Sequence, residues 1–241
     1  MSAPTASLTA LRTSTAALLA GVDAQRWTDA EVRAPSLLPG WTRGHVLAHI
    51  ARNADGITRT LSGALRGEIV ARYPDGRQGR NADIEAGSTR GFAELAADVR
   101  ESADRLDRLL GAVADADGWD LPTEDLPARD YVVARWREVE IHHVDLAGEY
   151  AAEHWPAEFV AYLLPQLADG LAQRATTALR IEVAEERSVT TDLSGRVWTA
   201  GTGDPVDVSG PDWALTAWLV GRPAAAAGTL NQTPDVAPWL L

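Results

Sequence analysis

Residues 135–149, Arg-Trp-Arg-Glu-Val-Glu-Ile-His-His-Val-Asp-Leu-Ala-Gly-Glu, decide how the chain is read. Taken as one helix, they put Arg135, Glu138, His142, Asp145 and Glu149 at successive steps of three or four, so all five share a face. Trp136, Val139, Ile141, Val144, Leu146 and Ala147 occupy the other faces, too much apolar surface for a helix lying free in water. The polar stripe is therefore expected to point into an enclosed site, where something must compensate it. A Glu and a His one turn apart can share one metal ion, and a third ligand from another helix would leave an open coordination position. The plainer reading of Glu138 with His142 is a buried hydrogen-bonded pair or a link to Arg135.

Outward from this stretch, three more helices follow from apolar spacing. Leu8, Leu11, Leu18, Leu19 and Val22 predict a helix from Thr5 to Gln25. Pro35, Pro39 and Gly40 break that pattern, and Thr42 is a good N-cap for a second helix running to about Arg66, with Val46, Ile50, Ile57 and Leu61 as its buried stripe. At roughly 100° per residue, His49 falls about 80° from the centre of the stripe and His45 about 120° away, so His49 is expected at the core edge and His45 nearer solvent. Pro74, Gly76 and Gly79 make the segment Ala71–Gly87 read as a long irregular connection carrying Arg72, Arg77, Arg80 and Asn81. Phe92, Leu95, Val99, Leu106 and Leu110 predict a third helix to about Val113. Four such helices make a four-helix bundle with sites built from inward-facing side chains.

Composition shifts after Tyr150. Pro156 suits a helix first turn followed by Phe159, Tyr162, Leu163, Leu167 and Leu171, with Pro165 bending it. Strand-like runs follow at Leu179–Val183, Val189–Leu193, Val197–Thr199 and Val206–Val208, then a helix from Asp212 to Val220 ending at Gly221. The expected class is α+β: a helical bundle over residues 1–153 and a smaller α/β domain over 154–241.

The 241 residues include 46% hydrophobic types, enough for a real core. Lys+Arg of 22 against Asp+Glu of 34 gives a formal charge of -12, which argues against a nucleic-acid footprint and against anionic lipid. No run of about 18 apolar residues and no basic leader is present, so neither a membrane span nor a signal peptide is expected, and a cytoplasmic protein is; a monomer is one option, the sequence leaving the oligomeric state open. With no Cys there is no protein thiol and no Cys-type zinc site, and all 22 basic residues are Arg, which removes Schiff-base chemistry. A thiol or amine nucleophile would come from outside.

Two His and one Glu from two helices, His49, Glu138 and His142, match the donor set of catalytic zinc, and equally that of non-haem iron. Asp145, one turn beyond His142, reads either as an orienting carboxylate or as a solvated helix residue. Arg222, after a helix end, reads either as a partner of the last carbonyls or as a bidentate holder of a substrate carboxylate. His143 points about 100° away from His142 and reads as packing or surface.

These motifs resemble a known family. Gly40-Trp41-Thr42-Arg43 through His45 to His49, the Arg80-Asn81 loop before Ala86–Thr89, Arg137-Glu138-Val139 through His142 to Asp145-Leu146, the Gly221-Arg222 pair and the Pro-Trp-Leu tail at Pro238–Leu240 are similar to those of the mycothiol-dependent maleylpyruvate isomerases, within the DinB-like thiol-dependent metal proteins. The resemblance implies a DinB-like bundle followed by a small α/β domain. It implies zinc on His49, Glu138 and His142, catalytic roles for Asp145 and Arg222, substrate contacts from Arg222 and Arg80, and mycothiol as cofactor. The reaction implied is cis-to-trans isomerisation of maleylpyruvate to fumarylpyruvate in gentisate degradation. A zinc-held thiolate would add to the activated double bond, the resulting single bond would rotate, and the thiol would leave. Rival expectations are a mycothiol S-transferase on the same scaffold and a non-catalytic metal or thiol-stress binding protein.

Overall fold

The computed structural model describes residues 4–185 and 193–237. The chain divides into two compact units, Met1–Tyr150 and Ala151–Leu241. In the first, helices α1 (Pro4–Gln25), α3 (Arg43–Leu65), α5 (Phe92–Asp115) and α6 (Asp130–Asp145) form the expected bundle, with a short α2 (Asp29–Val32) and an additional α4 (Gly76–Ser88) between them. Each long helix packs on two others: α3 on α5 and α6, and α1 on α6 and α5. The stripe Val46, Ile50, Ile57 and Leu61 is fully buried, each side chain contributing roughly 1.5–3 kcal/mol relative to exposure.

The start of α3 is fixed by its own sequence. Thr42 Oγ1 accepts a hydrogen bond from the His45 amide, while His45 Nδ1 accepts one from the Thr42 amide at 3.2 Å, a reciprocal cap with His where Glu or Gln is usual. This sets the rotation of α3 and hence the direction of His49, one turn on.

Two elements depart from the expectation. Ala71–Gly87 is not an irregular connection, because most of it is α4. Its glycines are poor helix formers, but Gly87 permits close packing on α3, since a Cβ there would lie 3.0 Å from the Ala48 side chain, and Ile84 is buried. The α6 helix starts at Asp130, five residues ahead of Arg135, and stops at Asp145, so Glu149 leaves the shared face. Ala147 takes a left-handed φ of 53°, which ends the helix. Arg43 secures that end, Nε donating to the Leu146 carbonyl at 2.9 Å and Nη2 to that of Ala147 at 3.1 Å.

In the second unit, α7 (Ala157–Asp169) contains Pro165 and buries Phe159, Leu163 and Leu167. Strands β1 (Leu179–Glu185), β2 (Val197–Ala200) and β3 (Val206–Pro211) form a sheet in the order β2-β1-β3. The β1 strand is antiparallel to β2 (Leu179 opposite Ala200) and parallel to β3 (Leu179 opposite Val206). A final helix α8 (Asp212–Leu219) ends before Gly221, whose φ of 83° makes the left-handed stop. Of the strand expected over Val189–Leu193 only Leu193 is among the described residues, and the Pro238–Leu240 tail lies outside them. No helix among the described residues is long and apolar enough to cross a membrane.

Candidate metal centre

His49 projects from the middle of α3, and Glu138 and His142 from one face of α6, where α3 and α6 pack together. His49 Nε2 lies 2.9 Å from Glu138 Oε2 and 3.0 Å from His142 Nε2, and His142 Nε2 lies 3.2 Å from the same Glu138 oxygen. The two imidazoles meet edge to face with centroids 4.5 Å apart. Both histidines are buried; the Glu138 side chain is 13% exposed, so the triangle opens to the outside on the carboxylate side. The expected core-edge position of His49 is corrected to full burial, because Trp41 packs edge-on against it at 5.5 Å and His142 covers another side. His45 lies outside the group, its Nε2 meeting Glu85 at 3.1 Å.

Asp145 is completely buried, and the solvated reading is thereby overturned. Its Oδ2 lies 2.8 Å from His142 Nδ1. A carboxylate is acceptor-only, so Nδ1 of His142 carries a proton and Nε2 faces Glu138 and His49. On the other imidazole, Arg80 Nη2 donates to His49 Nδ1 at 3.1 Å. A guanidinium is donor-only, so His49 carries its proton on Nε2 and donates it into the triangle. Arg80 therefore belongs to the site as a neighbour of His49; it is carried by α4, not by a loop, and its guanidinium lies 5.9 Å from the Tyr73 ring centroid.

Burial sets the electrostatics. It pushes His49 down to about 4, the attraction of Glu138 offsetting only part of the cost. Burial would raise Glu138, but the charge of His49 and hydrogen bonds from both histidines hold it well below the usual carboxylate range. Burial also works against protonated His142, yet the hydrogen bonds to Asp145 and Glu138 prevail and raise it. The result is a mostly buried anionic oxygen beside two imidazole nitrogens, a donor set suited to a cation.

His143 is buried, not on the surface: it stacks on Tyr150 with centroids 3.8 Å apart and packs against Gly21 of α1, where a Cβ would sit 2.5 Å from its Nε2. Glu140 is another buried carboxylate on α6, and it accepts from Ser14 and from the Tyr150 hydroxyl. These two residues dock α1 onto α6 and fix the roll of α6. From the sequence Glu140 has no assigned role, and Trp41 enters only as part of the Gly40–Arg43 motif. Arg222 lies in the second unit after α8, where its Nη1 donates to the Val220 carbonyl at 2.8 Å. That contact is the helix-end one read from the sequence.

Among the described residues, His49, Glu138 and His142 form a group that could hold a metal ion, all three potential ligand atoms lying within 4.8 Å of one another. A search of the curated proteins gives no match. Two crystal structures, of a mycothiol-dependent maleylpyruvate isomerase and of a variant of it with one histidine replaced by alanine, superpose with TM-scores of 0.83 and 0.82. Each is 26% identical to this chain over 99% of its length and 98% of theirs. Residues 8–147, more than half of the chain, match the model of the mycothiol maleylpyruvate isomerase N-terminal domain. The chain belongs to that family.

Proposed function

We propose that the protein is a zinc- and mycothiol-dependent isomerase that converts maleylpyruvate to fumarylpyruvate. The observation that carries this reading is the convergence of His49, Glu138 and His142 on one point in a chain that has no cysteine of its own. The donor set fits the metal. Tetrahedral zinc ligands at about 2.1 Å stand roughly 3.4 Å apart, and the 2.9–3.2 Å separations need only a small expansion. Asp145 behind His142 supplies the acceptor that a metal-bound imidazole favours. His49 needs one adjustment: with its Nε2 on a cation its proton moves to Nδ1, and Arg80 must turn from that nitrogen.

Bound by two neutral imidazoles and one carboxylate, zinc would retain a net positive charge and hold an added thiol as thiolate at neutral pH. Glu138 supplies the one negative charge of the cage. Asp145 holds His142 with Nε2 aimed inward and keeps its proton on Nδ1. Trp41 covers the side of His49 and excludes water there. Arg80, released from His49, presents two parallel N–H donors of the kind that grip a carboxylate, and we assign Arg222 the same task. Charge that develops on the substrate when the thiol adds would be held by such a guanidinium group, an effect worth roughly 3 kcal/mol when one such donor is lost.

The test is maleylpyruvate turnover by purified protein with and without mycothiol, before and after chelation and zinc return. Turnover that needs both supports the reading; turnover without thiol, or conjugation of electrophiles without isomerisation, overturns it in favour of another enzyme.

A further inference from the structure

On the α1/α5 side of the bundle lies a cavity of about 290 Å³. Leu11 and Leu19 of α1 face Leu106 and Leu110 of α5 across it, and its lining also includes Arg135 of α6. Arg135 is 2% exposed. Its Nη1 donates to the Ile50 carbonyl at 2.8 Å and to Asn53 Oδ1 at 2.9 Å, but its Nη2 is buried and meets no acceptor among the described residues. Nothing in the proposed isomerase chemistry uses this guanidinium. Burial depresses it to about 10, the nearby charge of Glu138 opposing that fall only in part.

A permanently charged planar fork in a bundle core, with a donor unmade, is costly unless an acceptor reaches it. The aliphatic walls suit a hydrocarbon body, and the fork suits a carboxylate. At the rim, Arg12 neutralises Asp107 through a 2.6 Å ion pair, while Asp104 remains to disfavour ligands carrying several negative charges. We propose that this cavity is a second ligand site, which takes a small monocarboxylate with an apolar tail, head toward Arg135 and tail between α1 and α5.

Calorimetry on the intact protein with octanoate and with 1-octanol tests this. Octanoate is expected to bind one site at sub-millimolar concentration, roughly tenfold or more tighter than the alcohol, because only the anion makes a charge-assisted bond to Arg135. Thr15→Trp, on the half-buried α1 wall of the cavity, should block both ligands while leaving the melting temperature and zinc content unchanged. Arg135→Met should keep the alcohol and lose the preference for the acid. No octanoate binding at millimolar concentration, equal affinity for acid and alcohol in the native protein, or undiminished octanoate binding by Thr15→Trp would each overturn the proposal. None of these three outcomes depends on whether Arg135→Met folds.

Discussion

Replacing Asp145 by Asn probes how the site is held. The native carboxylate accepts the His142 Nδ1 proton at 2.8 Å in a fully buried position. Asn is nearly isosteric, and its amide oxygen can still accept that proton, but the charge is gone. Loss of an outer partner of this kind costs about 10–100-fold in metal affinity, or roughly 1.4–2.7 kcal/mol. The neutral variant belongs at the lower end of that range and Asp145→Ala at the upper. Competition for zinc against a calibrated chelator measures both. The pH dependence gives a second handle. Asp145 and Glu138 raise His142 against its burial, so protons should compete with a metal ion for Nε2 up to a higher pH than at an unperturbed imidazole. In Asp145→Asn that competition should begin at lower pH, so the affinity deficit should be largest in alkaline solution and shrink as the pH falls. Unchanged zinc affinity in both variants, or a deficit independent of pH, would refute the orienting role.

The remaining expectations concern the neighbours of the triangle. In metal-free protein, His49 sits at about 4 against an unfolded value of 6.5, so the unfolded chain binds the extra proton between those values. Stability should be fully present above pH 6.5 and fall by roughly 3 kcal/mol as the pH drops to 4; chemical denaturation at several pH values should show the fall, and His49→Gln should flatten it. His142 is raised and acts in the opposite sense, its contribution being lost as the pH climbs from 6.5 through its folded value. Arg80→Gln should bind zinc more tightly than the native protein, since no guanidinium then faces the His49 Nδ1 proton, yet show a higher KM; equal zinc affinity would remove the contact at 3.1 Å from the account. Thr42→Ala removes the hydroxyl that caps α3 and should cost about 1 kcal/mol in thermal or chemical denaturation while sparing zinc stoichiometry.

The Glu138–His142 pair was legible in the sequence because α6 keeps helical spacing from Arg135 to Asp145, which fixes which side chains share a face whatever the rest of the fold does, while His49, on α3, was added as third donor without any spacing to place it. What the sequence did not carry is tertiary in origin. Glu149 falls off the stripe because Ala147 turns left-handed, a conformation held by Arg43 from another helix. The α4 helix hid behind Pro74, Gly76 and Gly79, since the packing on α3 that offsets weak helix propensity has no local signature. The burial of His49 exceeds what its angle on α3 implies because Trp41, just before α3, and His142, distant in the chain, close over it. His143 looked incidental beside His142, yet its stacking on Tyr150 and close approach to Gly21 dock α1 on α6. Arg135 sits on the expected polar face, but its unmade Nη2 bond and the cavity it lines follow from how α1 and α5 pack.

The central claim is that His49, Glu138 and His142 hold one zinc ion with room for a sulfur that the chain itself lacks. Zinc-edge X-ray absorption of the loaded protein, before and after mycothiol is added, tests it most directly. The account predicts one zinc per chain with only nitrogen and oxygen neighbours at first, then a single sulfur at about 2.3 Å once the thiol is present. A zinc shell that gains no sulfur, or that is unaltered by His49→Ala, would contradict it.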